Sequence, residues 1–227
     1  MANSVLVIAD SGTGKSTSIR TLDPKETFII NIANKPLPFK GWKSKYTQIT
    51  KDNPKGNLTS AATAPGIIKA MRHVNDKMGH IKTIVVDDWQ YMSSFEYFDR
   101  ANEKGYEKFT QIAANLAQVA KLPKDLRDDL TIIFLTHSED STDINGNRKI
   151  KAKTVGKMID NTLTLEGLFS IVLFGKVNKN DDGELEYGFE TQNNGENTCK
   201  SPQGMFEDFF IPNNLQYVKD CIKKYEE

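Results

Sequence analysis

The sequence predicts an α/β fold: a mostly parallel sheet flanked by helices, followed by a C-terminal β-hairpin and a terminal helix. Three observations predict it. Over residues 1–175, short apolar runs rich in branched residues alternate with helical stretches, as parallel βαβ units do. The first run, Val5-Leu-Val-Ile8, leads directly into a glycine-rich turn, Ala9-Asp-Ser-Gly-Thr-Gly-Lys-Ser16. After Phe174 the character changes to polar and aromatic alternation around Asp182-Gly183, a hairpin turn signal.

In chain order, strands are expected at Val5–Ala9, Thr27–Ile32, Thr83–Asp87, Thr131–His137 and Ser170–Phe174. Each is short and apolar enough to be covered on both faces. Helices are expected over Lys15–Thr21, Ala62–Lys77, Gln90–Ala120 with a break near Gly105, and Val155–Asn161 leading into Thr164–Phe169. Lys176–Glu190 reads as the hairpin, Asn193–Lys200 as a polar loop and Asn214–Tyr225 as an amphipathic helix. No linker separates these last elements from the rest, so residues 1–227 form one domain, with a core of 1–175 and an appendage of 176–227. Two further segments read as polar loops. Asn34–Lys45 places Lys35, Lys40, Lys43 and Lys45 around Phe39 and Trp42, and Ser138–Lys157 carries Arg148, Lys149, Lys151, Lys153 and Lys157.

The 227 residues suffice for one domain with a sizeable core. Thirty basic and thirty acidic side chains balance, so a polyanion would have to meet a local basic patch. No run approaches the roughly eighteen apolar residues of a membrane span. The first strand begins almost at Met1, which leaves no room for a signal peptide, and a cytoplasmic location is expected. Cys199 and Cys221 read as two free thiols, a disulfide between them being the alternative. His73, His80 and His137 show no zinc-ligand spacing with them.

The turn from Ala9 to Ser16 follows the phosphate-loop pattern G-x-x-x-x-G-K-[ST], with Ala9 at the first glycine. Gly12 and Gly14 let the backbone wrap closely, so that N–H groups, including those of Ser11 and Thr13, can face phosphate oxygens. The following helix would add its N-terminal partial charge. Lys15 can neutralise the β- and γ-phosphates of ATP, Ser16 can ligate Mg²⁺, and Thr17 can reach the α-phosphate. A second element, Ile84-Val-Val-Asp-Asp88, is a buried strand ending in two carboxylates, as the Walker B element does. Asp87 would serve the magnesium, and Asp88 would orient or deprotonate the attacking water. At the end of Thr131–His137, either Thr136 or His137 fits a γ-phosphate sensor, with His137 a candidate catalytic residue. The Arg148–Lys157 series follows that strand and is a candidate nucleic-acid contact or intersubunit finger, or else a solvated face.

With these residues in view, the chain resembles the phage-encoded RecA-like P-loop ATPases of the Sak-type single-strand annealing group. The resemblance is carried by the P-loop, Ser18-Ile-Arg-Thr-Leu-Asp-Pro24, Asn34-Lys-Pro-Leu-Pro-Phe-Lys-Gly41, Val85-Val-Asp-Asp88, Glu166-Gly-Leu-Phe169 and Lys200-Ser-Pro-Gln-Gly-Met-Phe206. It implies a RecA-like core, ATP and Mg²⁺ as ligands, a homo-oligomer with ATP between subunits, and handling of single-stranded DNA beside a single-strand-binding protein. It further implies a mobile DNA-contacting loop after the sensor strand, here Arg148, Lys149, Lys151, Lys153 and Lys157. The sequence departs from RecA in two places. Ile30-Asn-Ile-Ala-Asn-Lys35 lacks the glutamate that follows the second strand. Gly188–Gln192 lacks the paired lysines that act on the neighbouring subunit's ATP, and Lys200 is the nearest candidate for that finger. Slow or partner-dependent turnover is therefore expected. Two other functions share the P-loop: a small-molecule or nucleotide kinase, and a nucleotide-binding assembly protein with little turnover. Kinases of that kind carry an arginine-bearing lid, whereas Arg20, Arg72, Arg100, Arg127 and Arg148 include no clustered pair.

Overall fold

The computed structural model describes residues 1–142, 146, 148–155 and 164–227. The strands are β1 (Asn3–Ala9), β2 (Thr27–Asn31), β3 (Leu58–Thr59), β4 (Thr83–Asp87), β5 (Thr131–Thr142), β6 (Arg148–Ala152), β7 (Ile171–Lys179), β8 (Leu185–Glu190) and β9 (Phe210–Pro212). The α-helices are α1 (Trp42–Lys45), α2 (Ala64–Lys77), α3 (Gln90–Asp99), α4 (Glu107–Lys121) and α5 (Leu215–Glu226). Among the described residues, nine strands form one sheet in the order β3-β2-β4-β5-β1-β7-β8-β9, with β6 paired to β5. The pairs from β3 through β7 are parallel, whereas β7–β8, β8–β9 and β5–β6 are antiparallel. This is the expected mostly parallel sheet with a C-terminal hairpin and terminal helix.

Strand alternation divides the core in two. Leu6, Ile8, Phe28, Ile30, Ile84, Val86, Ile132 and Phe134 face α2 and α4, which present Ile67, Met71, Val74, Ile112, Leu116 and Val119. The intervening residues Val5, Val7, Ile29, Val85, Ile133 and Leu135 face Ile19, Tyr46 and the α5 residues Leu215, Val218 and Ile222. Thr63 caps α2 by accepting from Gly66 N, and Asn214 caps α5 by accepting from Tyr217 N. The expected break near Gly105 falls between α3 and α4. Cys199 packs in the first core and Cys221 against the second, so the sheet separates the two free thiols. No helix among the described residues is long and apolar enough to cross a membrane.

Three local expectations are corrected. The segment after the glycine-rich loop is a 3-10 helix, Ser16–Thr21, not an α-helix. Its hydroxyls bond their own backbone: Ser18 Oγ donates to Lys15 O and Thr21 Oγ1 to Ser18 O, which competes with α-helical pairing. A macrodipole from so short an element contributes little, and the loop's own amides must carry anion binding. Ser138–Lys157 is not a loop throughout, because β5 continues to Thr142 and returns as β6, pairing Ser138 with Ala152 and Thr142 with Arg148. Asn34–Lys45 is likewise not a loop throughout, because its last residues form α1, and Phe39 and Trp42 pack against the second core, with Phe39 edge-on to Tyr46 at 6.3 Å. Lys157 and most of the expected Val155–Asn161 helix lie outside the described residues.

Candidate functional site

Open parallel sheets bind ligands beyond the carboxyl ends of their strands, and the candidate residues gather there. In register, Ala9 of β1 stands beside His137 of β5 and Gly175 of β7, and Asn31 of β2 beside Asp87 of β4. A cleft of about 450 Å³ opens at this edge, lined by Ser11, Gly12, Gly14, Lys15, Ser16 and Thr17 from the loop, with Lys35, Asp88, His137 and others opposite. Thr13 departs from the expected set. Its hydroxyl donates to Asp10 O at 2.8 Å, and it lines a separate hollow with Gly175 and Glu190.

The loop is shaped by Gly12 and Gly14, at φ 83° and 89°. Lys15 is buried, and its Nζ donates to Ala9 O at 3.1 Å and Asp10 O at 3.2 Å, which holds the ammonium across the loop it belongs to. Burial lowers its pKa, opposed by the nearby Asp88, Asp87 and Asp10. The loop is also clamped from the far end of the chain. Asn213 Nδ2 donates to Gly14 O at 3.2 Å, and Arg20 donates to Asn213 Oδ1 at 3.1 Å. Tyr187 of β8 completes that wall.

The two adjacent carboxylates part company. Ser16 Oγ donates to Asp87 Oδ1 at 2.7 Å, which joins the loop to the end of β4. Burial and the neighbouring Asp88 push the Asp87 carboxyl up to about 6, against the Ser16 hydrogen bond and Lys15. A hydroxyl beside a carboxylate destabilised by burial is a hard-oxygen pair suited to Mg²⁺, which is held by one or two protein groups together with substrate phosphates. Asp88 adopts a left-handed φ of 60° and turns away. Its Oδ2 is 2.5 Å from Lys35 Nζ, and its Oδ1 lies 3.5 Å from His137 Nε2. Burial would raise this carboxyl, but hydrogen bonds from His137 and Lys35 outweigh it and hold it below its usual range. So held, Asp88 is better suited to orienting a water than to taking its proton.

Thr136 is fully buried, and its hydroxyl donates to Gln90 Oε1 at 3.3 Å. His137 N donates to the same oxygen at 3.2 Å, so the Gln90 amide ties the start of α3 to the end of β5. Of the two sensor candidates, only His137 lines the cleft. Lys153 N donates to His137 O at 2.8 Å, which brings the returning arm of the β5–β6 hairpin back to the same residue.

The basic series is partly neutralised by its own hairpin. Arg148 pairs with Asp140 at 2.8 Å, Lys151 with Glu139 at 3.2 Å, and Lys149 Nζ donates to Gly195 O at 3.0 Å. Lys200 lies outside the cleft, its backbone exchanging hydrogen bonds with Val172 on the flank of β7. Lys35, Gln90, Arg20, Tyr187 and Asn213 belong to the site although no motif marks them for it. Of these, Lys35 lies in the basic segment Asn34–Lys45 and Arg20 in Ser18–Pro24, but neither segment says what the side chain meets.

A family model described as an AAA domain matches residues 1–203. No curated protein matches the sequence.

Proposed function

We propose that this chain, which belongs to the AAA-domain family and is a P-loop ATPase domain, hydrolyses ATP with magnesium to control a surface for single-stranded DNA. The observation that carries the reading is the contact of Ser16, which lines the cleft, with the buried Asp87 behind it, joining the glycine-rich loop to the acidic end of β4. In this arrangement the loop amides and Lys15 hold the phosphates, and Ser16 and Asp87 hold the cation, which when bound neutralises phosphate charge. Asp88, fixed by Lys35 and His137, orients the attacking water.

Support for the DNA part comes from the β5–β6 hairpin. It is the continuation of β5 beyond His137, and Lys153 returns to His137 by a backbone bond. Occupancy at the phosphate end can therefore bias the hairpin. Although two of its cations are paired, the segment from Glu139 to Lys153 carries four cations, Arg148, Lys149, Lys151 and Lys153, against three carboxylates, Glu139, Asp140 and Asp143, in a chain of zero formal charge. By its resemblance to the Sak-type group, we infer a role in phage recombination or strand annealing, in a homo-oligomer and beside a single-strand-binding protein.

ATP turnover measured with and without single-stranded DNA tests this function. Magnesium-dependent turnover that DNA stimulates is the expected result. Turnover indifferent to DNA would remove the DNA part, and phosphoryl transfer to a small acceptor would replace hydrolysis with a kinase.

A further inference from the structure

Among the described residues, two that are not glycine adopt a left-handed backbone: Asn34 at φ 51° and Asp88 at φ 60°. Such positions are uncommon and strained, and persist where the surroundings impose them. These two impose a single contact. Ser60 Oγ donates to Asn34 Oδ1 at 2.7 Å, and Asn31 Nδ2 donates to Lys35 O at 2.6 Å, so the turn after β2 is pinned and presents Lys35. The turn after β4 presents Asp88, and Asn31 and Asp87 are partners in the sheet. Lys35 Nζ and Asp88 Oδ2 meet at 2.5 Å.

The pair is lopsided. The Lys35 side chain is 57% exposed and that of Asp88 only 5%, so the ammonium stands between a buried carboxylate and the open cleft. An ion pair with one half-exposed partner adds little to stability, not enough to offset two left-handed turns. Its position gives it another use. Asp88 lines the cleft and Asp87 is bonded to Ser16, which also lines it, so two carboxylates stand close to the phosphates of a triphosphate bound there, and like charges repel unless a cation intervenes. Lys15 supplies one cation from the β1 side, and Lys35 is the cation on the β2 side, lining the same cleft.

We propose that Lys35 contacts the terminal phosphate of ATP and is the residue by which this cleft distinguishes a nucleoside triphosphate from a diphosphate. The proposal rests on the cleft being the ATP site. In place of the acid missing after β2, the chain offers a cation that reaches both the phosphate and the water-orienting carboxylate.

Equilibrium binding of ADP and of a non-hydrolysable ATP analogue, both with Mg²⁺, tests it on wild type, Lys35→Met, Lys35→Gln and Lys15→Ala. The uncharged Lys35 variants should bind the ATP analogue about tenfold more weakly or worse, and ADP within about twofold of wild type. Lys15→Ala should weaken both ligands. Thermal denaturation shows whether each Lys35 variant keeps its fold, with a modest fall in midpoint expected because the buried Asp88 carboxylate loses one of its two partners. Equal losses for ADP and the analogue, or no loss for either, in whichever Lys35 variant keeps its fold would overturn the proposal. Wild type that binds neither ligand would overturn the reading of the cleft, and this proposal with it.

Discussion

Ala9 occupies the first position of the phosphate loop, where the pattern has glycine, and the neighbouring strand makes room for its methyl group. A Cβ built on Gly175 would lie 2.7 Å from Ala9 Cβ and 3.6 Å from Thr13 Oγ1. Gly175→Ala should therefore push on the loop and cost about 1–3 kcal/mol, as overpacking does. Ala9→Gly in the same chain should restore most of that stability, a coupling that denaturation of both single variants and the double would read. Additive effects would show that the two positions do not compete for the same space. Asp87 and Asp88 give a second expectation. Asp87→Asn should weaken the magnesium-dependent part of ATP binding. Asp88→Asn should keep that binding and slow turnover by roughly a hundredfold, the loss that a misplaced attacking water brings. Binding titrations beside single-turnover rates check this, and wild-type turnover in Asp88→Asn would end its catalytic assignment. Lys15, Ser16, Asp87 and Asp88 are legible in the sequence because each sits in a short motif whose spacing carries the chemistry. Gly175, Lys35 and Asn213 are not, because each acts on a partner brought near by the sheet rather than by sequence.

At the scale of elements, long-range pairing explains what is readable. β4 and its covering helix α2 follow from local pattern, and the expected strand Thr83–Asp87 matches β4 residue for residue. β6 alternates as Arg148-Lys-Ile-Lys-Ala152, yet its charges read as loop, and pairing with the distal half of β5 is what makes it a strand. The segment Glu166–Phe169, which has no mechanism legible in its sequence, acquires two roles in the fold. Glu166, buried, accepts from Ala152 N at 2.8 Å and from Thr198 Oγ1 at 3.2 Å, so it secures the end of β6. Phe169 packs edge-on against Trp89, the residue after the acidic pair, at 5.9 Å. The hairpin's role is open to a direct check. Replacing Arg148, Lys149, Lys151 and Lys153 with glutamine should weaken single-strand binding and flatten its log–log salt slope by roughly 0.7 for each phosphate no longer neutralised. The ion pairs of Arg148 and Lys151 make the expected change smaller than that of four fully engaged cations. A salt titration that superimposes on wild type would place the DNA surface elsewhere.

Across the whole molecule, one sheet holds two cores and brings Lys15, Ser16, Thr17, Lys35, Asp88 and His137 together beyond the carboxyl ends of its strands. The loop after β1 and the residues before α5 meet there. Residues 1–203 match the family, but Asn213 and α5 lie beyond that span, and they close the loop at Gly14 and dock on the 3-10 helix, where Leu215 N donates to Thr21 Oγ1 at 3.0 Å. The C-terminal segment, an appendage by its sequence, thus supplies a wall of the cleft through Tyr187 and Asn213. Everything proposed for the molecule depends on Mg·ATP binding in the cleft between the loop and the acidic strand end. Calorimetric titration of Mg·ATP into wild type and Lys15→Ala tests this most directly. Saturable one-to-one binding to wild type, weakened in a folded Lys15→Ala by roughly 1.5–3 kcal/mol or more, is the predicted result. Equal affinity for the two proteins would contradict it.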